Sequence, residues 1–320
     1  MFAFSLTIFW GACLLFLVQP LIARFILPWF GGGPAVWTTC MLFFQVLLLG
    51  GYAYAHFSIS RLTPRRQVIT HLCLLALAVA LLPITPGDQW KPTDGSNAAG
   101  HILLLLLACL GLPYLVLSAT GPLLQAWFSK ANPGVSPYRL YALSNIGSLL
   151  ALLVYPFVLE PQLARQAQAN WWSIGLALYA GLAGWCGYKV WKSAEADTKA
   201  VVADDAEEAP STSRKLLWFA LPACGVMLLL AITNKICQDI AVVPFLWVLP
   251  LSLYLLSFII SFDSPRWYHR AVWLPLLAAL LGMVLYNLTQ AESHPNITPL
   301  ATLYLGTLFG ACMVCHGEVF

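Results

Sequence analysis

Residues 102–128 read ILLLLLACLGLPYLVLSATGPLLQAWF, without a single charged side chain. A helix of about 20 apolar residues crosses the hydrocarbon core of a bilayer, because lipid cannot hydrogen-bond free backbone groups. This segment is therefore long enough to span a membrane. Because it contains Pro113, Gly121 and Pro122, we expect the helix to be kinked or broken before Trp127.

The same kind of segment recurs along the whole chain. Of all residues 60% are hydrophobic and only 9% are charged, and the mean hydropathy is +0.78. A water-soluble domain needs more polar side chains to cover its surface. We predict an all-α, polytopic membrane helix bundle with about ten spans, at 4–26, 36–58, 68–84, 102–128, 138–158, 171–190, 216–234, 241–262, 271–290 and 298–317.

The Lys and Arg residues fall mainly in every second interruption between these spans. Of the 16 in the chain, those in the other interruptions are Arg24, Lys91, Arg165 and Lys235. Lys and Arg are enriched in cytoplasmic loops. We therefore predict a multi-pass membrane protein with both termini in the cytoplasm. The net charge of +3 reflects this asymmetry and gives no indication of nucleic-acid binding.

One long hydrophilic segment, residues 192–215, separates six predicted spans from four. It reads KSAEADTKAVVADDAEEAPSTSRK, an acidic, alanine-rich composition typical of a flexible linker. We predict a first membrane half at 1–191, a cytoplasmic linker at 192–215 and a second half at 216–320. This layout is typical of the major facilitator fold. That fold has six spans in each half, so the predicted six-plus-four arrangement resembles a truncated protein or a piece of a longer one.

Several segments carry a resemblance to a known family. They are LVQPLIAR at 17–24, PWFGG at 28–32, AVW at 35–37, GYAYAH at 51–56, YALSNIGS at 141–148, YPFVLEP at 155–161, DIAVVPFLWVLP at 239–250 and CHGE at 315–318. The chain resembles the membrane domain of bacterial membrane-fused spermidine-synthase-like proteins. In that family a major-facilitator-like domain precedes a soluble, aminopropyltransferase-like domain.

The resemblance implies that this domain anchors a synthase in the membrane, or binds or passes a small amine. The chain itself departs from the enzyme, because no glycine-rich loop follows a predicted strand and opens a helix. Residues 31–34, Gly-Gly-Gly-Pro, lie between two predicted spans instead. We therefore expect no catalytic residues and no cofactor in this chain. A free-standing, major-facilitator-like small-molecule transporter is the alternative. Expected partners are the lipid bilayer, a small amine, and a soluble synthase domain or a second copy of the chain.

Polar side chains within membrane spans are candidate binding residues, because burying them in lipid is unfavourable. The candidates for substrate binding are Gln19, Arg24, Gln45, His56, Asn145 and Asp239. Two of them have structural alternatives. Arg24 lies near the end of its span and could extend to the lipid headgroups. Gln19 could form a helix–helix hydrogen bond instead of lining a cavity.

Two acidic residues lie on the predicted outer side of the membrane. Glu160 and Asp239 could attract a cationic amine there. Asp239 also lies four residues after Lys235, a spacing that allows an ion pair if the segment is helical. The alternative for both carboxylates is an ordinary solvated charge in a loop.

The sequence CMVCH at 312–316 matches the C-x-x-C-H pattern of covalent haem c attachment, with Cys312 and Cys315 as thioether donors and His316 as iron ligand. Two observations favour buried thiols instead. The motif lies at the end of an apolar span, and the predicted topology places it in the cytoplasm. A structural zinc site would need a fourth ligand. We therefore expect no metal site.

Overall fold

The computed structural model describes residues 1–31, 34–92, 97–135, 137–196, 211–239, 248–289 and 297–319. These residues form helices and connecting turns and contain no β-strand. The chain divides into two compact units, Met1–Val202 and Ala203–Phe320. The division lies inside the hydrophilic segment 192–215.

The first unit contains eight α-helices. Their bounds are α1 Phe2–Phe30, α2 Pro34–Arg61, α3 Pro64–Ala80, α4 Ala98–Ser118, α5 Thr120–Ala131, α6 Tyr138–Val154, α7 Glu160–Gln162 and α8 Arg165–Ala196. A π-helical turn, Tyr155–Leu159, joins α6 to the single turn of α7. The second unit contains α9 Thr212–Asp239, α10 Val248–Asp263, α11 Arg270–Thr289 and α12 Ile297–Gly317.

Within the described residues, seven helical segments are long and apolar enough to cross a membrane. They are Phe2–Phe30, Ala35–Arg61, Ala98–Ala131, Arg139–Gln162, Thr212–Ile236, Arg270–Thr289 and Pro299–Gly317. The described part of the chain is therefore helical, and these seven helices support the membrane protein that the composition predicted.

Three predicted spans fall outside this set of seven. Helix α3 has only 17 residues, and α10 has only 16, because residues 241–247 of that predicted span lie outside the described part. Helix α8 is long, but Trp, Tyr and Gly residues dilute its apolar character. The ten-span, six-plus-four arrangement remains a prediction.

Helix α1 forms the centre of the first unit and packs against α6 and α8. The indole Nε1 of Trp10 donates to the carbonyl oxygen of Gly175 at 3.0 Å. The indole Nε1 of Trp172 donates to the carbonyl oxygen of Leu14 at 2.9 Å. Where no water is present, a polar side-chain group needs such a partner. These bonds fix α8 against α1.

The predicted break in the fourth span is confirmed. Helix α4 ends at Ser118 and α5 begins at Thr120. Pro122 has no N–H to bond the carbonyl of Ser118, and its ring clashes with that carbonyl in a regular helix. The break positions α5 so that Trp127 is completely buried and donates from Nε1 to Oε1 of Gln67 on α3 at 3.0 Å.

The hydrophilic segment is partly helical at both ends. Helix α8 continues through Ala196, and α9 begins at Thr212, so the residues between them, 197–211, are fewer than the 24 predicted as linker. Ser193 and Ala194 permit the extension, since Ser193 Oγ donates to the carbonyl oxygen of Lys189 at 3.1 Å and alanine favours helix.

In the second unit, α12 packs against α9, α10 and α11. One end of α12 is tied to the start of α11 through Glu318. Its Oε1 accepts hydrogen bonds from Arg270 Nε and from the Tyr268 hydroxyl, both at 2.6 Å. A second bond joins Arg270 Nη2 and Glu318 Oε2.

Candidate functional site

The interior of the first unit accounts for Gln19. Its Nε2 donates to the hydroxyl oxygen of Tyr114 on α4 at 3.3 Å. Tyr114 is buried and its ring packs against those of Phe43 and Phe44 on α2. Gln19 is only 8% exposed. Its amide therefore joins α1 to α4, as in the structural alternative given by the sequence.

Arg24 has an acidic partner in the same unit. Its Nε lies 3.9 Å from Oε1 of Glu160, and both side chains are about one-third exposed or less. The π-helical turn at Tyr155–Leu159 places Glu160 opposite α1. Because the charge of Glu160 is balanced by Arg24, this carboxylate is not an isolated negative site for a cationic amine.

Two donors beside this ion pair have no acceptor. Nη1 of Arg24 and the hydroxyl of Tyr155 are both buried, and neither has a hydrogen-bond partner among the described residues. Unsatisfied buried polar groups are rare in folded proteins and require an explanation. Both lie at the end of the bundle where α1 ends and α8 begins.

Helix α2 carries two of the predicted binding residues on one exposed face. Gln45 and His56 are exposed within the first unit, and Tyr52 between them is 51% exposed. Side chains separated by seven and four residues project from the same side of an α-helix. Thr38, seven residues before Gln45, belongs to the same exposed face. The apolar Leu42 and Leu49 lie between these residues on the same side and are also exposed, so polar and apolar side chains alternate there. We call Thr38, Gln45, Tyr52 and His56 the polar face of α2.

Asn145 and Asp239 are not brought to this face by any described contact. Asn145 is half-buried on α6, and its Nδ2 donates to the carbonyl oxygen of Tyr141 at 3.2 Å. That bond closes locally along the same helix. Asp239 is the last residue of α9, and its side chain lies outside the described residues.

The C-x-x-C-H motif lies on α12 in the core of the second unit. Cys312, Cys315 and His316 are all buried. The Ser257 hydroxyl and Nδ1 of His316 are 3.0 Å apart, and the His316 ring stacks on Phe258 with centroids 3.6 Å apart. Within the described ranges, no group of three His, Cys, Asp or Glu residues could hold a metal ion. The packing matches the buried-thiol alternative.

The candidates for substrate binding did not include a second set of buried polar groups, on α3. His71 is fully buried, with Nδ1 3.4 Å from the Tyr54 hydroxyl and its ring edge-on to Trp127. Gln67, one turn earlier, bonds Trp127 and the carbonyl oxygen of Leu62. The available signal was their four-residue spacing, which places both on one face of α3.

No protein-family model matches this chain, and no curated protein matches it either.

Proposed function

We propose that the chain is the membrane domain of a bacterial inner-membrane protein that binds or passes a small amine along the polar face of α2. The sequence resemblance to membrane-fused spermidine-synthase-like proteins supports this reading. In a parent protein of that kind, the domain would also anchor a soluble synthase domain.

The single observation that carries the proposal is the exposure of polar side chains within a membrane-spanning helix. Gln45 lies well inside the span Ala35–Arg61 and is exposed in its own unit. Polar groups that face hydrocarbon are unfavourable, so such side chains normally face water, a polar partner or a substrate. Tyr52 and His56 extend the same polar face toward the end of the helix.

The chemistry of this face suits an ammonium group. The carbonyl oxygen of Gln45, the hydroxyl of Tyr52 and a neutral His56 imidazole can each accept a hydrogen bond. The ring of Tyr52 also offers an aromatic surface to a cation. Helix α2 contains no Asp or Glu, so binding would depend on neutral acceptors and would be reversible, as passage requires.

A free-standing transporter is the second candidate. The division into two compact units, each with helices able to span a membrane, favours it. Transporters of the major facilitator type work by movement of two halves about a central binding site. This candidate predicts uptake by the chain alone, whereas an anchor or binding domain predicts amine binding without uptake.

The test uses the full chain in proteoliposomes with radiolabelled spermidine, and measures both binding and uptake. Gln45→Leu removes one acceptor for the ammonium group. Since hydrogen bonds to charged groups contribute about 1.5–3 kcal/mol, we expect half-saturation to need at least about tenfold more spermidine. Leu49→Val, an apolar change one turn further along the same helix, is the matched control and should bind as the parent does.

Hydration of the face is tested separately by thiol labelling. Gln45→Cys should react with a membrane-impermeant thiol reagent above the background of the native cysteines. Ile174→Cys, at an exposed apolar position of α8, should not. Equal labelling at both positions, together with unchanged spermidine binding in Gln45→Leu, would refute the proposal and favour a helix-packing role for this face.

A further inference from the structure

A second polar site lies at the opposite end of the first unit from Arg24. The beginning of α1, the end of α5 and the last turns of α8 line a cavity of about 410 Å³ that is open to the surface. Its walls include Phe4, Asn132, Tyr188, Lys189 and Lys192. The cavity thus combines two ammonium groups and an amide with aromatic surface.

The two lysines have no acidic partner in the described part of the first unit. Among the side chains described there, the carboxylates are Asp88, which pairs with Lys91 at 2.8 Å, and Glu160, which lies beside Arg24. Both pairs lie at the other end of the helices. Glu195, three residues after Lys192 on α8, lies outside the described side chains. Basic groups gathered at the end of a bundle attract anions.

The depth of the cavity in the membrane follows from α1 and α8. The apolar part of α8 ends at Lys189, and the apolar part of α1 begins within its first turn at Phe4. The cavity therefore lies at the level of the lipid headgroups. Basic pockets between membrane helices at this level bind the phosphates of anionic lipids.

The geometry points to a binding site for a phosphate group in this cavity. The ammonium groups of Lys189 and Lys192 neutralise the phosphate. The amide of Asn132 has one hydrogen bonded to the carbonyl oxygen of Phe128 at 3.2 Å, and its other hydrogen remains to donate. In an anionic phospholipid, the acyl chains would lie along Tyr188 and Phe4. This site does not depend on the amine-binding role of α2.

The experiment measures lipid retention by the purified full chain with native mass spectrometry. Phosphatidylglycerol and phosphatidylcholine are the two probes. Near a membrane surface, each Lys strengthens the binding of an anionic lipid by a factor on the order of ten or less. The double variant Lys189→Ala with Lys192→Ala should therefore weaken phosphatidylglycerol retention roughly thirtyfold. Lys189→Arg with Lys192→Arg keeps both charges and should retain the lipid.

The matched control removes two charges from the same end of the bundle. Arg61 and Arg66 are exposed and do not line the cavity. Arg61→Ala with Arg66→Ala should change retention within about threefold, because exposed charges are screened by solvent and salt. Equal losses of phosphatidylglycerol retention in the two double variants would refute the proposed site, since retention would then depend on total charge alone.

Inorganic phosphate identifies the source of the phosphate group. If it binds and displaces phosphatidylglycerol, the site recognises a free phosphate. If phosphatidylglycerol binds and phosphate does not compete, the site is a lipid headgroup site. Equal retention of phosphatidylglycerol and phosphatidylcholine, with no binding of inorganic phosphate, would overturn the proposal. Helical circular dichroism confirms that each variant remains folded.

Discussion

The close approach of α2 to α4 gives the sharpest prediction about the fold. A methyl group on Gly51 would overlap Cβ of Ser118. It would also lie 2.9 Å from the carbonyl oxygen of Leu115 and 3.0 Å from the amide nitrogen of Ala119. Two of these three atoms belong to the backbone, so no side-chain rotation relieves the contact. Gly51→Ala therefore forces α2 away from α4 at the point where α4 ends.

The adjacent residue supplies a control for the intrinsic effect of alanine. A methyl group on Gly50 meets only a side-chain atom, Cδ1 of Leu115, at 3.4 Å. Both substitutions gain the same helix propensity, which therefore cancels in their comparison. Overpacking of a tight contact costs about 1–3 kcal/mol. For a unit of this size, that difference corresponds to an apparent Tm lower by roughly 2–12 °C in Gly51→Ala than in Gly50→Ala.

The assay is thermal unfolding of both variants in the same detergent and at the same heating rate, because unfolding of membrane proteins is commonly irreversible. Gly51→Ala combined with Ser118→Gly should recover part of the loss, since residues in contact do not act additively. A Tm for Gly51→Ala equal to or above that of Gly50→Ala would refute the argument.

Two further predictions concern polar contacts. Trp127→Phe leaves the buried Oε1 of Gln67 without its donor, and should destabilise the first unit by about 1–3 kcal/mol, measured by the same thermal assay against the parent. In the second unit, hydrogen bonds from Arg270 and Tyr268 hold the pKa of Glu318 below its ordinary value of 4.5. The stabilisation of the second unit by these hydrogen bonds is fully present above pH 4.5 and is lost as the pH falls through the lowered pKa of Glu318. The difference in stability between the parent and Glu318→Gln should therefore be constant near neutral pH and should shrink below pH 4.5. A difference that stays constant down to pH 3 would contradict the lowered pKa of Glu318.

The elements predicted correctly from the sequence are those set by local chemistry. Long apolar segments predict spanning helices because the backbone must bond within its own segment. Pro113, Gly121 and Pro122 predicted a break before Trp127 for a similarly local reason, since proline lacks an N–H, and the structure places that break at Ala119. The predicted spans at α3 and α8 stay predictions for reasons that are local as well. Helix α3 has 17 residues, and aromatic residues and glycines lower the mean hydropathy of α8.

The contacts of the candidate site could not be derived in the same way. Gln19 and Tyr114 are 95 positions apart, and Arg24 and Glu160 are further apart still. Which helices become neighbours depends on packing of the whole unit, so the sequence left both residues with alternatives. Helical spacing does place Gln45 and His56 on one side of α2. The exposure of this side depends on which face of α2 packs against α4.

The π-helical turn before Glu160 has a consequence for comparing relatives of this chain. Such a turn holds one residue more than an α-helical turn. A relative with a single-residue deletion between Tyr155 and Leu159 could close this turn as a regular α-helical one, and the residues after it would keep nearly the same orientation. Its counterpart of Glu160 would still face the counterpart of Arg24. A one-residue gap at this place in an alignment would therefore mark a change in the type of helical turn and not the loss of the ion pair.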